Sequence, residues 1–501
     1  MTIKNIFYIT AISVVSILSL QSCESFTDID QKGKNLLSKT SDLELLLNYN
    51  YYLDYADMST VSGDLINAFD CGYIPSELTN TVKTSSAILI SLDESAHASV
   101  LPQINSGDSY YKNCYSVIGR IANPILSLVD AAEGSEEHKN RLRAEAYAMR
   151  AYFHYFAAQK YARVYNPSTA STELCVSYVT EDMDIQTPTQ QQTQKDVYDH
   201  IISDLDNAIA LDALPEVAVN RMRFCAAMPY AVKAQVLMTI GDINGAEAAA
   251  KEALKHGDVI NDYGTYIVDD LSYDGYPIKL FVPGSPMNME ENYFASASQV
   301  VFKLITPFCE SMQEDGSYIK DCFISSVTRS RGKYDKEDLE NDRLQILQYN
   351  EVNYGVPYNV AMDMTSNHNQ IGIKTSHMYL ILAECAIERD RIDEAMGYLD
   401  KIRKNRIAPE YYHDLKGTVS TKADAIRWLK MACHGEYCYS IWNFITRKRW
   451  SKHDDYKETF TRTLCGNTYV LTPESDMWVF PFPISIIAQN HNLKHNYNTA
   501  L

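Results

Sequence analysis

The stretch Arg143–Phe153, which reads RAEAYAMRAYF, lies inside the strongest helical pattern of the chain, from Glu137 to Tyr165. Apolar side chains recur in this pattern at spacings of four and three residues, at Leu142, Ala146, Met149, Phe153 and Phe156. This periodicity places them on one face of an α-helix. The opposite side carries four tyrosines, at Tyr147, Tyr152, Tyr155 and Tyr161. A helix with so little polar surface is buried between other helices.

Further helical patterns flank this segment. Single helices are predicted at Ser41–Tyr52, which opens with a Ser41–Glu44 capping box, and at Tyr110–Val129 and Lys195–Leu211. Two helix pairs follow, each joined by a short turn: Ala226–Ile240 with Ile243–Lys255, and Met378–Glu388 with Ile392–Ile402. Each pair resembles the helix-turn-helix unit of tetratricopeptide repeats. Three long segments rich in turn-forming residues are predicted to be irregular: Gly63–Gly107, Gly257–Ala297 and Gly332–Gln370.

The sequence therefore predicts a mainly α fold, with an α-solenoid-like core, tetratricopeptide-like helix pairs and long irregular loop excursions. We expect residues 41–501 to form one domain, with a helical N-terminal half over 41–256 and a loop-rich C-terminal half with late helices over 257–501. Loops this long in a compact fold usually carry function.

The N-terminus predicts export. Lys4 precedes an apolar run, Ile6–Leu20, which ends in Leu20-Gln21-Ser22-Cys23. About 15 residues are too few to span a bilayer, which needs about 20. The pattern resembles a bacterial lipoprotein signal, in which residues 1–22 are removed and Cys23 becomes the acylated first residue, followed by a tether over 23–40. The alternative is an ordinary signal peptide cleaved near Ser22, which would leave Cys23 a free thiol.

Composition narrows the possible partners. Hydrophobic residues make up 46% of the chain and the formal net charge is -19. An acidic chain is a poor ligand for nucleic acid, whose phosphates attract positive patches.

There are 11 cysteines, and their irregular spacing predicts no obligatory disulfide framework. Cys225 and Cys385 lie in apolar helical patterns, where we expect small buried thiols. Cys433 and Cys438 are close in sequence and are the pair to consider for a disulfide.

Five segments, in order along the chain, resemble the SusD/RagB family of outer-membrane nutrient-binding lipoproteins. They are Arg143–Phe153, Val197–Ile209, Ala226–Asp242, Tyr379–Glu384 followed by Ile402-Arg403, and Pro481–Ile484 followed by Asn490–Asn496. Each is weak alone, since alanine-rich helices are common. Together, behind a lipoprotein signal, they identify the chain as resembling this family over nearly all of its mature length.

The resemblance implies a lipid-anchored protein at the cell surface. It would bind a nutrient, an oligosaccharide or a peptide, and deliver it to a SusC-like TonB-dependent transporter in the outer membrane. It implies no catalysis and no cofactor. Two alternatives stay open: a helical-repeat surface scaffold that binds protein partners, and a glycosidase, because a pair of catalytic carboxylates leaves no local sequence mark.

Candidate ligand residues lie in the irregular segments, where exposed functional side chains concentrate. Tyrosine can stack on a sugar ring and hydrogen-bond through its hydroxyl, and the chain has 36 tyrosines. The candidates are Asp70, Tyr73, Tyr273, Tyr276 and Tyr293. The alternative for each is a loop residue packed onto the scaffold.

Other charged or ligand-type residues have simpler explanations. Glu145 and Glu384 are expected to hold neighbouring arginines or backbone. The basic run Arg447-Lys448-Arg449 is expected to be a solvated helix face, with transporter docking as the alternative. His491 and His495 have the spacing of two metal ligands on one helix face, but Asn490 and Asn492 do not favour a helix there. No metal site is predicted.

Overall fold

The computed structural model describes residues 37–62, 65–67, 83–104, 108–184, 186–271, 277–282, 288–298, 302–305, 314–322, 360–362, 368–437, 440–464 and 467–497. Its helices are α1 Thr40–Leu46, α2 Ala56–Ser62, α3 Ser85–Ile90, α4 Glu94–Ser99, α5 Leu101–Ile104, α6 Ser109–Val117, α7 Asn123–Leu128, α8 Glu136–Tyr161, α9 Gln194–Leu211, α10 Ala227–Ile240, α11 Ile243–His256, α12 Thr375–Glu388, α13 Ile392–Arg403, α14 Lys422–Glu436, α15 Ile441–Trp450 and α16 Ile484–Gln489. The fold is mainly α, as predicted.

Short strands complete the described fold. They are β1 Leu65–Asn67, β2 Ile267–Leu271, β3 Pro277–Phe281, β4 Asn292–Phe294, β5 Ala297–Ser298, β6 Phe302–Ile305, β7 Val360–Met362, β8 His368–Asn369, β9 Ile373–Lys374, β10 Phe460–Leu464 and β11 Asn467–Leu471. All the strand pairs are antiparallel: β1-β6-β7 form a three-stranded sheet, and β2-β3, β4-β9, β5-β8 and β10-β11 pair in twos.

Helix α8 is the centre of the core. It runs for 26 residues, and the Ser135 hydroxyl caps its start by accepting from the His138 N–H at 3.2 Å. Side chains are buried on all sides of its second half. Trp442 of α15 stacks on both Tyr152 and Tyr155, with ring centroids 6.3 and 6.2 Å apart. The predicted buried helix is therefore confirmed, and its partners come from both ends of the chain.

The two predicted helix pairs are also confirmed. Gly241, with φ of +84°, forms the left-handed turn between α10 and α11, a conformation that glycine adopts without steric cost. Asp390 takes the same region between α12 and α13, with φ of +53°. Although far apart in sequence, the pairs pack together: the Cys385 thiol lies 3.6 Å from the Ile243 carbonyl oxygen, and Arg389 pairs with Glu247. They form one continuous helical layer.

Several boundaries differ from the prediction. Helix α1 starts at Thr40 and ends at Leu46, with the Asp42 carboxylate accepting from the Lys39 N–H at 3.3 Å. The pattern from Tyr110 to Val129 is divided by a π-helical turn, Ile118–Ala122. Pro124 has no N–H to continue the α-helical ladder, and the Asn123 N–H instead reaches the Ile118 carbonyl.

All three segments predicted to be irregular contain regular elements. Helices α3, α4 and α5 lie within Gly63–Gly107, the 3₁₀ turn Tyr263–Tyr266 with the β2-β3 hairpin lies within Gly257–Ala297, and strands β7 and β8 lie within Gly332–Gln370. The short helices are set by caps, since Thr84 and Asp93 accept from the N–H groups of Ala87 and Ala96. A helix of one or two turns is too short for apolar periodicity to be detected in its sequence.

The hydrophobic core extends from Leu43 to Leu493. The six cysteines in the described residues are free and buried. Of the helices in those residues, none combines the length and apolar character needed to cross a membrane.

Candidate functional site

A cleft opens between α13, α14 and the segment 314–322. It encloses about 500 Å³, including solvent at its mouth. Apolar side chains form most of its walls: Ile319, Ile402, Ile407, Trp428, Met431 and Ala432. Charged groups lie at its base and rim: Glu314, Arg403, Arg406 and Glu436. Apolar walls with a few fixed polar groups are typical of small-molecule sites.

A buried ionic network forms the base of the cleft. The Arg406 guanidinium donates to Glu436 at 2.6 Å and to Glu291 at 2.9 Å, and it lies 3.6 Å from the Tyr263 ring centroid. Lys374 contacts Glu436 at 2.8 Å. Two cations therefore face two carboxylates away from solvent, and the network joins β9, the 3₁₀ turn, the segment after α13 and the end of α14.

The network fixes the charge states of its members. Burial by itself would raise the pKa of the Glu436 carboxyl, but Arg406 and Lys374 outweigh it and hold that pKa well below its usual range. Burial would lower the pKa of Arg406, but Glu291 and Glu436 raise it instead. Burial raises the pKa of Tyr263 to about 12. The base of the cleft is thus ionised, internally paired and a poor source of protons for catalysis.

Trp428 is the half-buried aromatic ring of the cleft. The Arg403 guanidinium lies 5.1 Å from its ring centroid and is held by Glu314, through contacts of 2.9 Å from Nε and Nη2. The Arg427 guanidinium also lies over the ring, at 5.5 Å. Arg403 is locked, whereas the Arg427 side chain is 61% exposed and can rotate away. Trp428 can then offer one face to a ligand.

The β2-β3 hairpin lies beside this cleft. Lys279 of β3 pairs with Asp321 at 3.3 Å, and the Phe281 ring contacts Tyr263, with centroids 4.7 Å apart. The hairpin pairs Leu271 with Pro277. The described strands of the hairpin and the cleft are therefore neighbouring parts of the fold.

Most predicted site residues lie outside the described residues: the lipid-anchor Cys23 and the candidates Asp70, Tyr73, Tyr273 and Tyr276. Tyr293 is described, and it is 2% exposed within β4. Its hydroxyl donates to the Gly257 carbonyl, and its own carbonyl lies 3.6 Å from the Cys225 thiol. A ligand role for Tyr293 would require its ring to leave this packed position.

The two glutamates assigned to the scaffold are confirmed there. Glu145 accepts two hydrogen bonds of 2.7 Å from Arg223. Glu384 accepts from Arg449 and, at 2.9 Å, from the Trp450 indole N–H.

The expectation of a solvated face at Arg447-Lys448-Arg449 is wrong. Arg447 and Lys448 are buried, and Arg449 is largely so. Each points to a different partner: Arg447 donates to the Ser62 carbonyl, Lys448 to the Gln159 carbonyl and Arg449 to Glu384. Consecutive residues on a helix point about 100° apart, so these three basic side chains contact three different parts of the fold.

Trp428, Arg403 and Arg406 were not predicted as site residues. Their only sequence signals were the scarcity of tryptophan, with 4 in the chain, and the position of Ile402-Arg403 within a family-like segment.

His491 and His495 do not share a helix face: the segment after α16 is not helical, and His495 Nδ1 accepts from the Phe482 N–H at 3.2 Å.

Comparison with known proteins gives a consistent assignment. Residues 66–238 match the family model SusD-like_3, described as starch-binding associating with outer membrane. No curated protein matches the chain.

Solved structures share the fold over nearly the whole chain. A SusD-like protein from Bacteroides fragilis is 13% identical, with a TM-score of 0.61 over 93% of this chain and 98% of that one. A SusD superfamily protein from Bacteroides thetaiotaomicron is 16% identical, with a TM-score of 0.58 over 92% and 100%. A SusD-like carbohydrate binding protein from Bacteroides vulgatus is 15% identical, with a TM-score of 0.58 over 92% and 98%. At such identities the likeness is one of fold.

Proposed function

We propose that the chain is a member of the SusD/RagB family and a non-catalytic binding protein of the outer membrane, which captures an oligosaccharide and delivers it to a SusC-like TonB-dependent transporter. The observation that carries this proposal is the match of residues 66–238 to a family described as starch-binding. A solved protein of the same fold is named as carbohydrate binding, which supports the ligand class.

The ligand site is proposed at the cleft and the adjoining hairpin. An oligosaccharide presents apolar ring faces and many hydroxyl groups, and aromatic side chains bind both features. Trp428 supplies a ring at the mouth of the cleft, and Tyr273 and Tyr276 stay the candidates predicted from the sequence for further contacts. The guanidinium groups of Arg403 and Arg406 are already paired with carboxylates, which favours an uncharged glycan over an anionic one.

Attachment to the membrane is proposed through acylation of Cys23. The support is the sequence Leu20-Gln21-Ser22-Cys23 after a short apolar run. A single acyl chain binds membranes weakly, whereas two or more hold a protein stably. We therefore expect a multiply acylated Cys23 to keep the protein at the outer membrane.

Ligand binding is tested with the mature chain from residue 24 onward. Isothermal titration against a panel of neutral and acidic oligosaccharides should give heat for one class of neutral glycan, and chromatography should recover that glycan unaltered. Cleavage of the bound glycan would overturn the non-catalytic assignment. Binding to none of the glycans, with a peptide bound instead, would overturn the ligand class.

The membrane and transporter assignments need protein from the native host. Mass spectrometry of the N-terminal peptide should find acyl chains on Cys23, and mild detergent extraction should recover a TonB-dependent transporter with the protein. A Cys23→Ala variant should be released from the membrane and lose the transporter. Recovery of soluble adaptor proteins without a transporter would support the surface-scaffold alternative.

A further inference from the structure

The wall of the cleft that α14 forms is an apolar stripe along one face of that helix. The stripe consists of Trp428, Met431, Ala432 and Gly435, which all line the cleft and are all half-buried. These residues lie three, four and seven positions apart, the spacing of neighbours on one helix face. Leu429, on the adjoining face, is by contrast fully buried in the core. The stripe is therefore partly open to the cleft.

Isoleucines from two other parts of the chain complete the apolar lining. Ile319 belongs to the segment 314–322 and is half-buried, whereas Ile402 near the end of α13 and Ile407 after it are buried. A ligand group that enters the cleft between these side chains and the stripe meets mainly hydrocarbon. An apolar group gains affinity from such contact because it leaves water.

The guanidinium groups of Arg403 and Arg406, which line the cleft, already donate to protein oxygens from all three of their nitrogens. The acceptors of Arg406 are Glu291, Glu436 and the carbonyls of Asn261 and Asn405, at 2.6–3.3 Å. The acceptors of Arg403 are Glu314, Asp400 and the His413 carbonyl, at 2.6–2.9 Å. A ligand hydroxyl inside the cleft would have to compete with these bonds, and a buried hydroxyl without a hydrogen bond loses affinity.

Two hydroxyl groups of the cleft are engaged as well. The Tyr263 hydroxyl donates to Glu291 at 3.1 Å, and the Ser317 hydroxyl accepts from the Lys320 N–H at 3.4 Å. Glu314 is different, because a carboxylate has about four acceptor positions and Arg403 takes two of them. Glu314 can therefore still accept from the ring hydroxyls of a sugar.

Building on the proposed function, we propose that the cleft selects a 6-deoxyhexose, a sugar whose exocyclic carbon is a methyl group instead of a hydroxymethyl group. The methyl group would enter between the stripe and the isoleucines, while the sugar ring stacks on Trp428 and its hydroxyls bind Glu314. A fully hydroxylated hexose would carry a hydroxyl into the apolar part of the cleft. An N-acetyl sugar would bring an amide N–H and a carbonyl, which would both need partners there.

The test is isothermal titration of the mature chain, from residue 24 onward, with three matched pairs of oligosaccharides. The members of a pair differ by one hydroxyl group on the terminal sugar: L-fucose against L-galactose, L-rhamnose against L-mannose, and 6-deoxy-D-glucose against D-glucose. The 6-deoxy member of at least one pair should bind about tenfold to a hundredfold more tightly, the range typical of an apolar pocket that meets an added hydroxyl.

A variant of the stripe tests where this preference arises. Met431→Gln keeps the length of the side chain but places hydrogen-bonding groups in the wall, so it should reduce the ratio of the two affinities. Met183→Gln is the matched control, because Met183 is 38% exposed and does not line the cleft; it should leave the ratio unchanged. A loss of folded protein lowers both affinities together and cannot imitate a change in their ratio.

The outcomes separate this inference from the proposed function. If the hydroxylated member binds as well as its 6-deoxy partner in every pair, or if only glycans outside the three pairs bind, the inference is overturned and glycan capture stands. An affinity ratio that Met431→Gln leaves unchanged would place the methyl group outside the cleft and would also overturn the inference. If no glycan binds at all, the proposed function fails together with it.

Discussion

Lys448 of α15 closes the carboxyl end of α8: its ammonium nitrogen lies 2.6 Å from the Gln159 carbonyl oxygen. A second contact of 2.6 Å reaches the Ala162 carbonyl. The side chain is 2% exposed, and burial lowers its pKa to about 7. A neutral amine keeps two N–H groups, which match the two carbonyls that the helix end leaves without partners.

Stability should therefore depend on pH through Lys448. Its folded pKa of about 7 lies below its ordinary value of 10.5, so between these values the unfolded chain holds a proton that the folded chain lacks. The free energy of unfolding should rise with pH over this interval, by at most about 1.4 kcal/mol per pH unit. The free energies of unfolding of the wild type and of Lys448→Met, measured with urea, should therefore diverge as the pH rises from neutral to alkaline. If the two free energies change in parallel with pH, Lys448 does not titrate in this range. The control is Lys452→Met, which replaces an exposed lysine of the same segment.

The Glu145–Arg223 pair should be a major source of stability. Both side chains are buried, and Glu145 also accepts from the Phe224 N–H at 3.0 Å. Arg223→Met leaves a buried carboxylate without its cation and should lower the free energy of unfolding by about 3–5 kcal/mol. Guanidinium unfolding measures this change. Lys195→Met breaks an exposed pair with Asp199 and should cost less than about 1 kcal/mol; similar losses in the two variants would contradict the argument.

Trp428→Ala should weaken glycan binding about tenfold, or about 1.4 kcal/mol, because it removes the ring at the mouth of the cleft. Titration with the glycan identified from the panel measures the affinity. Tyr49→Ala, at an exposed tyrosine that packs on Tyr51, should bind as the wild type does. If Trp428→Ala binds normally and Tyr273→Ala does not, the site includes Tyr273 and not the cleft.

Tyr293→Phe separates packing from ligand contact. The variant keeps the ring and loses the hydrogen bond to the Gly257 carbonyl, so the free energy of unfolding should fall by about 1 kcal/mol. Glycan affinity should stay the same, since the ring is enclosed in the core. A loss of affinity at unchanged stability would instead support the ligand role predicted from sequence.

The helical scaffold could be predicted because its signals are local. The period of α8 and the Gly241-Asp242 turn each lie within one element, and their bounds differ from the structure by a few residues at most. Glu145 was assigned to the scaffold from its place on a helix, and the structure supplies its partner. Short helices such as α3 could not be predicted, because they are defined by their capping residues and are too short to show apolar periodicity.

The cleft could not be predicted because its parts meet only in the fold. Trp428 and Glu314 are more than a hundred residues apart, and neither carries a local motif. The basic run at Arg447 shows the same limit: Ser62, which accepts from Arg447, is 385 residues away. A sequence pattern reports which side chains a helix carries, but the partners that bury those side chains are set by tertiary structure.

The enclosure of α8 also constrains how the protein is made. Its residues leave the ribosome well before Trp442, Lys448 and Phe480, which cover its aromatic face and its carboxyl end. During most of vectorial synthesis, the aromatic face and the carboxyl end of this helix therefore lack these three contacts and are completed only when the C-terminal residues arrive. Fragments divided anywhere between these regions should consequently be insoluble alone and regain solubility only when the two pieces are produced together.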